Sequence, residues 1–173
     1  ELLDRYGEDA RIMSGGTALV IQMKQRLSQP GHVVGLRGVT SLNSIESTPA
    51  GIKIGALCTQ RQVENSIAIV EGLPLLADTF RKVATPRIRN MATIGGGLVN
   101  GDPNQDPPPA LIALGASAFM TSSSGDRVVP LEDFFIDYYE TDVQPGEVMT
   151  SVLVPRAPVG SGSVYLKFLP RTA

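Results

Sequence analysis

The sequence predicts an α+β fold in two lobes: a small α/β lobe over residues 1–40, then a larger α+β lobe over residues 41–173 with a mainly antiparallel sheet. Three observations carry this. The first forty residues read as strand, glycine turn, helix and strand; apolar alternation from Ser44 onward is broken by short turns; and helical stretches opened by Thr59, Pro74 and Asp106 lie between the strands. A chain of 173 residues with 42% hydrophobic content can bury a core, and its length suits one domain or two small lobes.

Taken in order, Glu1 to Tyr6 reads as the last turns of a helix closed by Gly7. Ala10 to Met13 is a short strand, and Thr17 to Gln25 a helix whose apolar face carries Leu19, Val20, Ile21 and Met23. Val33 to Leu36 is a second strand reached through Pro30-Gly31, so parallel pairing in a βαβ element is expected. Ser44 to Ser47 and Ile52 to Ala56 flank Thr48-Pro49-Ala50-Gly51 as a hairpin. Thr59 is an N-cap for a helix to about Asn65, and Pro74 opens another to about Val83, giving two helices before the next glycine cluster. Asp106 followed by three prolines reads as the cap of a helix through Leu114. Ser117–Thr121, Arg127–Val129, Val148–Val154 and Val164–Leu169 complete the strands. Both ends read as cut, which gives the expectation of a piece of a longer polypeptide.

Two glycine clusters dominate the chain, Ser14-Gly15-Gly16-Thr17 and Thr93-Ile94-Gly95-Gly96-Gly97. Without a Cβ, glycine lets backbone N–H groups approach an anion and adopts positive φ, and a helix opened by Thr17 would favour negative charge at its start. No Lys or Arg lies between Arg89 and Arg127 or between Arg11 and Lys24, so a phosphate held here would rest on amide dipoles. The plain alternative is two tight turns.

Other chemistries are thinly represented. A net charge of −2 argues against a nucleic-acid surface. Cys58 is the only cysteine and His32 the only histidine, so the chain alone builds no disulfide, iron–sulfur cluster, structural zinc or catalytic triad. Asp102 and Asp106 do not make a convincing hard-metal pair, and Asp133, Asp137, Glu140 and Asp142 beside four aromatics read as an amphipathic surface segment. No Gly-x-Gly-x-x-Gly follows a strand and no P-loop is present. With neither a membrane-length apolar run nor a signal peptide, a cytoplasmic setting is expected. No catalytic residue and no metal ligand is nominated; chemistry would come from a bound cofactor gripped by the glycine turns.

The runs Ser14-Gly15-Gly16-Thr17-Ala18-Leu19, Pro86-Arg87-Ile88-Arg89-Asn90-Met91-Ala92-Thr93-Ile94-Gly95-Gly96-Gly97-Leu98 and Asp102-Pro103 to Asp106 resemble the FAD-binding medium subunit of molybdenum hydroxylases, of the carbon monoxide dehydrogenase and xanthine dehydrogenase type. Gly55-Ala56, Pro130 to Phe135, Pro145-Gly146-Glu147 and Tyr165 to Phe168 stand in family order too. The resemblance implies the two-lobed PCMH-type FAD fold. It also implies an electron-transfer role, with a molybdenum-cofactor large subunit and a small subunit carrying [2Fe-2S] clusters as partners, and NAD, quinone or another acceptor.

Position by position, the resemblance makes Met13, Ser14, Gly15, Gly16, Thr17, Ala18 and Leu19 the first FAD loop, and Thr93, Ile94, Gly95, Gly96 and Gly97 the second, with Asn100 near the phosphates. It makes Asp106 an acceptor for a sugar or ribityl hydroxyl, and brings Met149 and Lys167 to the isoalloxazine ring, where a cation stabilises reduced anionic flavin. Ala18 stands where the family has a polar or acidic residue and Gly97 where it has Asn or Ser, and the family's C-terminal domain has no counterpart in these residues. A flavin-free assembly module is the alternative these departures raise.

Overall fold

A computed structural model gives the structure of residues 1–168. Helix α1 (Leu2–Tyr6) runs through a 3-10 turn (Gly7–Asp9) into strand β1 (Ala10–Met13). A loop leads to α2 (Leu19–Lys24), and β2 (His32–Gly35) returns parallel to β1, with Ala10 opposite His32 and Met13 opposite Gly35. The helix begins two residues later than the sequence reading: Ala18, not Thr17, precedes it, and no side chain caps it. None of its residues is fully buried, and Ile21 is 53% exposed, so its apolar face meets little of the protein.

Past a second 3-10 turn (Thr40–Leu42), β3 (Ile45–Thr48) and β4 (Gly51–Gly55) form the expected hairpin. Four helices follow, not two: α3 (Gln60–Asn65), α4 (Ile67–Gly72), α5 (Pro74–Arg81) and α6 (Pro86–Arg89). Thr59 caps α3 in a full capping box with Gln62, satisfying donors at both ends of the turn. The second glycine cluster is itself helical, as α7 (Ile94–Asn100), capped by Thr93 and closed by Gly101 in the left-handed region. Helix α8 (Pro107–Ala113) opens after Asp106, whose side chain caps nothing.

Strands β5 (Ser117–Ser122) and β6 (Gly125–Pro130) precede a short α9 (Leu131–Phe134), the small ladder of β7 (Phe135–Asp137) with β8 (Glu140–Thr141), and β9 (Val148–Pro155). The acidic stretch read as one amphipathic segment is thus α9 plus a two-stranded ladder. The five-stranded sheet is antiparallel throughout, in the order β3-β4-β9-β5-β6. Residues 164–168, expected as a strand, lie outside any strand, and Leu169 is outside the described residues.

β9 is central, so its alternate residues are buried: Val152 lies opposite both Ile54 and Ala118. Helices α5, α8 and α9 cover that face with Leu76, Phe80, Leu111, Leu131 and Phe134, all 0% exposed. Each such side chain contributes roughly 1.5–3 kcal/mol. The rigid sheet and its helices carry α3 and α7, on which the site is built.

Candidate functional site

β1 ends at Met13, whose carbonyl accepts from Leu36 N–H at 2.9 Å, and the chain turns sharply through Ser14-Gly15-Gly16. Gly15 abuts the main chain of the second segment: a Cβ there would stand 2.1 Å from the Met91 carbonyl oxygen. Gly16 has φ +72°, the left-handed region. Among the described residues, the N–H groups of Gly15, Gly16, Thr17 and Ala18 reach no protein acceptor, whereas the carbonyls of Gly16 and Ala18 accept from Val20 and Gln22 at 3.1 Å. A row of unspent N–H groups about a left-handed residue is a concave anion seat.

The second segment is different, and here the expectation of amide donors at both clusters is corrected. The first N–H groups of α7 are already committed: Ile94 to the Cys58 carbonyl and Gly95 to the Ala56 carbonyl, both at 3.0 Å, and Gly97 to the Thr93 carbonyl at 3.1 Å. Gly96 N–H donates to the Thr93 hydroxyl at 3.1 Å. Ile94 itself is 2% exposed in the core, so its side chain contributes packing rather than a wall.

The two segments meet. Ser14 Oγ lies 2.9 Å from Thr93 Oγ1, and Gln22 Nε2 donates to Asn100 Oδ1 at 3.1 Å. Thr59 and Thr93 form a β-bridge, with Gln60 N–H on the Ala92 carbonyl at 2.8 Å, so the starts of α3 and α7 lie side by side. Behind them Arg89, 6% exposed, donates from Nε to Glu64 at 2.9 Å and from Nη1 to the Val83 carbonyl at 2.6 Å. Arg61 reaches the other Glu64 oxygen at 3.0 Å. A buried pair so fully bonded fixes geometry more than it adds stability.

Between the segments opens a cleft of about 1030 Å³. Pockets for drug-sized ligands span roughly 300–1,000 Å³, so this one is ample for a long cofactor. Apart from Ile94, every residue assigned to FAD on the family likeness lies on its wall: Met13 to Leu19, Thr93, Gly95 to Gly97, Asn100, Asp106, Met149 and Lys167. The wall is tight at its glycines: a Cβ on Gly96 would stand 2.5 Å from Ser14 Oγ, and one on Gly97 2.9 Å from Gln105 Oε1, so either would displace a side chain. Unspent amides, a Cβ-free wall and this volume fit a diphosphate-linked dinucleotide.

The electrostatics of the cleft are mixed. Arg11 and Lys167 both line it, so amide dipoles are not its only positive charge. Arg11 is folded back on the Glu8 and Ala10 carbonyls at 2.9 Å. Asp106 has a partner on each oxygen: Lys167 Nζ approaches Oδ2 at 2.7 Å, Tyr165 donates to Oδ1, and Lys167 also holds the Lys82 carbonyl at 3.1 Å. Burial, aided by that carboxylate, pushes the Tyr165 hydroxyl up to about 12. Met149 is 4% exposed and belongs to the core and the wall together.

Glu147 lines the cleft, and behind it Arg127 holds both Glu147 and Asp142 at 2.6 Å and sets Glu147 below the usual carboxylate range. Burial pushes the Cys58 thiol up to about 11, which leaves it an inert core group. Among the described residues no group of His, Cys, Asp and Glu is arranged to hold a metal ion. Asp102 instead takes the Asn104 N–H at 2.9 Å. His32 stacks on Tyr6 at 3.7 Å at the surface, outside the cleft. Sequence reasoning missed Gln22, Gln60 and Gln105; only the last lies inside a recognised motif.

The family model described as the FAD binding domain in molybdopterin dehydrogenase matches residues 1–157. The carbon monoxide dehydrogenase medium chain of Afipia carboxidovorans is 39% identical over 96% of this chain and 58% of its own. The xanthine dehydrogenase/oxidase of Gallus gallus is 30% identical over 88% of this chain and 12% of its own. A solved carbon monoxide dehydrogenase from Hydrogenophaga pseudoflava superposes with TM-score 0.95 at 34% identity, covering 99% of this chain and 60% of that one. The chain thus spans about three-fifths of the medium chains it matches. With fold, glycine walls and sequence in agreement, the chain belongs to the family of FAD binding domains of molybdopterin dehydrogenases.

Proposed function

We propose that the chain is the FAD-binding part of an electron-transfer subunit in a multi-subunit molybdenum hydroxylase. Substrate is oxidised on a large subunit, electrons pass through iron–sulfur clusters of a small subunit, and this subunit delivers them to NAD, a quinone or another acceptor. Relatives named as medium chains or FAD-subunits of dehydrogenases support the reading. The observation that carries it is the row of unspent N–H groups from Gly15 to Ala18 facing a Cβ-free wall.

In this reading Met13 to Leu19 seat the pyrophosphate, Thr93 and Gly95 to Gly97 shape the opposite wall, and Asn100 steadies both through Gln22. Ile94 anchors that wall from the core. When bound, FAD supplies two-electron acceptance and release. Lys167 holds positive charge at the cleft, favouring the reduced anionic cofactor; Met149 packs the wall, and Asp106 fixes the Lys167 ammonium. The cytoplasm is the proposed setting, and among the described residues no helix is long and apolar enough to cross a membrane.

Flavin absorbance of the purified complex, with release of FAD on denaturation, tests this directly. Gly96→Glu drives a side chain into Ser14 Oγ, from which its Cβ alone would stand 2.5 Å, and is expected to abolish flavin content. A complex that purifies without flavin and takes up none, or a Gly96→Glu variant at full flavin content, refutes the reading.

A further inference from the structure

We infer that Gln60 and Gln105 together hold one hydroxyl of the cofactor at the point where Gly97 has no side chain. The inference rests on the FAD reading above. Gln60, the first residue of α3, is 6% exposed and lines the cleft, and its Oε1 is buried with no donor. Buried carbonyls are rarely left so. Gln105 is anchored by its own Nε2, which donates to the Gly97 carbonyl at 2.8 Å. Its Oε1 lies beside the bare face of Gly97, and among the described residues nothing donates to it.

The two carboxamides converge. The position a Cβ on Gly97 would take is 2.9 Å from Gln105 Oε1 and 3.9 Å from Gln60 Nε2. A group resting between a fixed acceptor and a carboxamide must donate to one and bond the other. A hydroxyl does both, while a phosphate oxygen only accepts. The hydroxyl has one proton, which goes to Gln105 Oε1, and its oxygen accepts from Gln60 Nε2, the atom of that carboxamide nearest the point. Asp106, which the family likeness casts as a hydroxyl acceptor, already has one partner on each oxygen, Tyr165 and Lys167. The glutamine pair adds a second seat for a sugar or ribityl hydroxyl.

The test is a fluorescence-quenching titration of the full-length, flavin-stripped protein with FAD, alongside thermal melting. Wild-type protein that binds no FAD overturns the proposed function itself, before any variant is needed. Given wild-type binding, Gln60→Leu and Gln105→Leu are each expected to weaken it about tenfold. Gly97→Ser fills the point between the two carboxamides from the chain itself, its Cβ displacing Gln105 Oε1 from 2.9 Å, and should weaken FAD by a similar factor while the protein stays folded in the melting curve. A structure of the FAD complex should place a cofactor hydroxyl within hydrogen-bond distance of Gln105 Oε1. Folded variants with unchanged affinity overturn the inference, and so does a water molecule at that point in place of the cofactor hydroxyl.

Discussion

Gly15 and Gly16 stand side by side for different reasons, and substitution separates them. At Gly15 the obstacle is the Met91 carbonyl, a main-chain atom 2.1 Å from the position of a Cβ, so Gly15→Ala must push the two glycine segments apart. Overpacking of this kind costs roughly 1–3 kcal/mol. The expected outcome is a lower melting temperature and loss of bound flavin, whereas Gly35→Ala, with nothing within 4 Å, leaves flavin content near wild type. The sequence marked both glycines as a cradle, but the steric role of Gly15 depends on Met91, 76 positions away, and no local pattern encodes such a meeting. Gln60 was hidden for the same reason: its neighbours are polar residues of a helix start, and its burial is imposed by α7.

At the level of elements, α7 shows most plainly where sequence reasoning stops. Three glycines within seven residues weaken a helix by roughly 1 kcal/mol each, so the segment reads as a turn. Packing reverses that preference, because a Cβ on Gly95 would stand 2.6 Å from the Ala56 side chain and only a bare backbone can lie so close to the residue that follows β4. The Thr93 hydroxyl both caps this helix and touches Ser14. Thr93→Ala is therefore expected to cost about 1 kcal/mol as a cap, with a further loss shared with Ser14→Ala. A double-mutant cycle in chemical denaturation measures the shared part. The capping box made α3 legible and the first-turn proline α5; α6 opens on Pro86 after Thr85 as well, but at four residues it shows no period, and six-residue α4 has no side-chain cap to mark it.

For the molecule as a whole, β9 is the long-range decision. The sequence makes it a strand, but its place between β4 and β5 joins segments about a hundred residues apart, which alternation cannot reveal. The loop entering β9 is tied down by charge: Arg127 grips Glu147, and the Glu147 carboxyl is held below its ordinary value of 4.5. A carboxyl with a depressed folded-state pKa contributes stability above that ordinary value and loses it as pH falls through the folded one. Thermal midpoints should therefore fall on acidification below about 4.5, and an Arg127→Met variant, less stable than wild type at neutral pH, should converge with it under acid conditions. Parallel melting curves across the whole range would show that the grip adds nothing.

The amides of α7 are committed within the protein before any cofactor arrives, whereas those of Gly15 to Ala18 are not. One jaw of the cleft is therefore set in advance and the other acquires its partners only on loading. Deuterium uptake should record the asymmetry: slow at Ile94 to Gly97 with or without FAD, and fast at Gly15 to Ala18 until the dinucleotide binds.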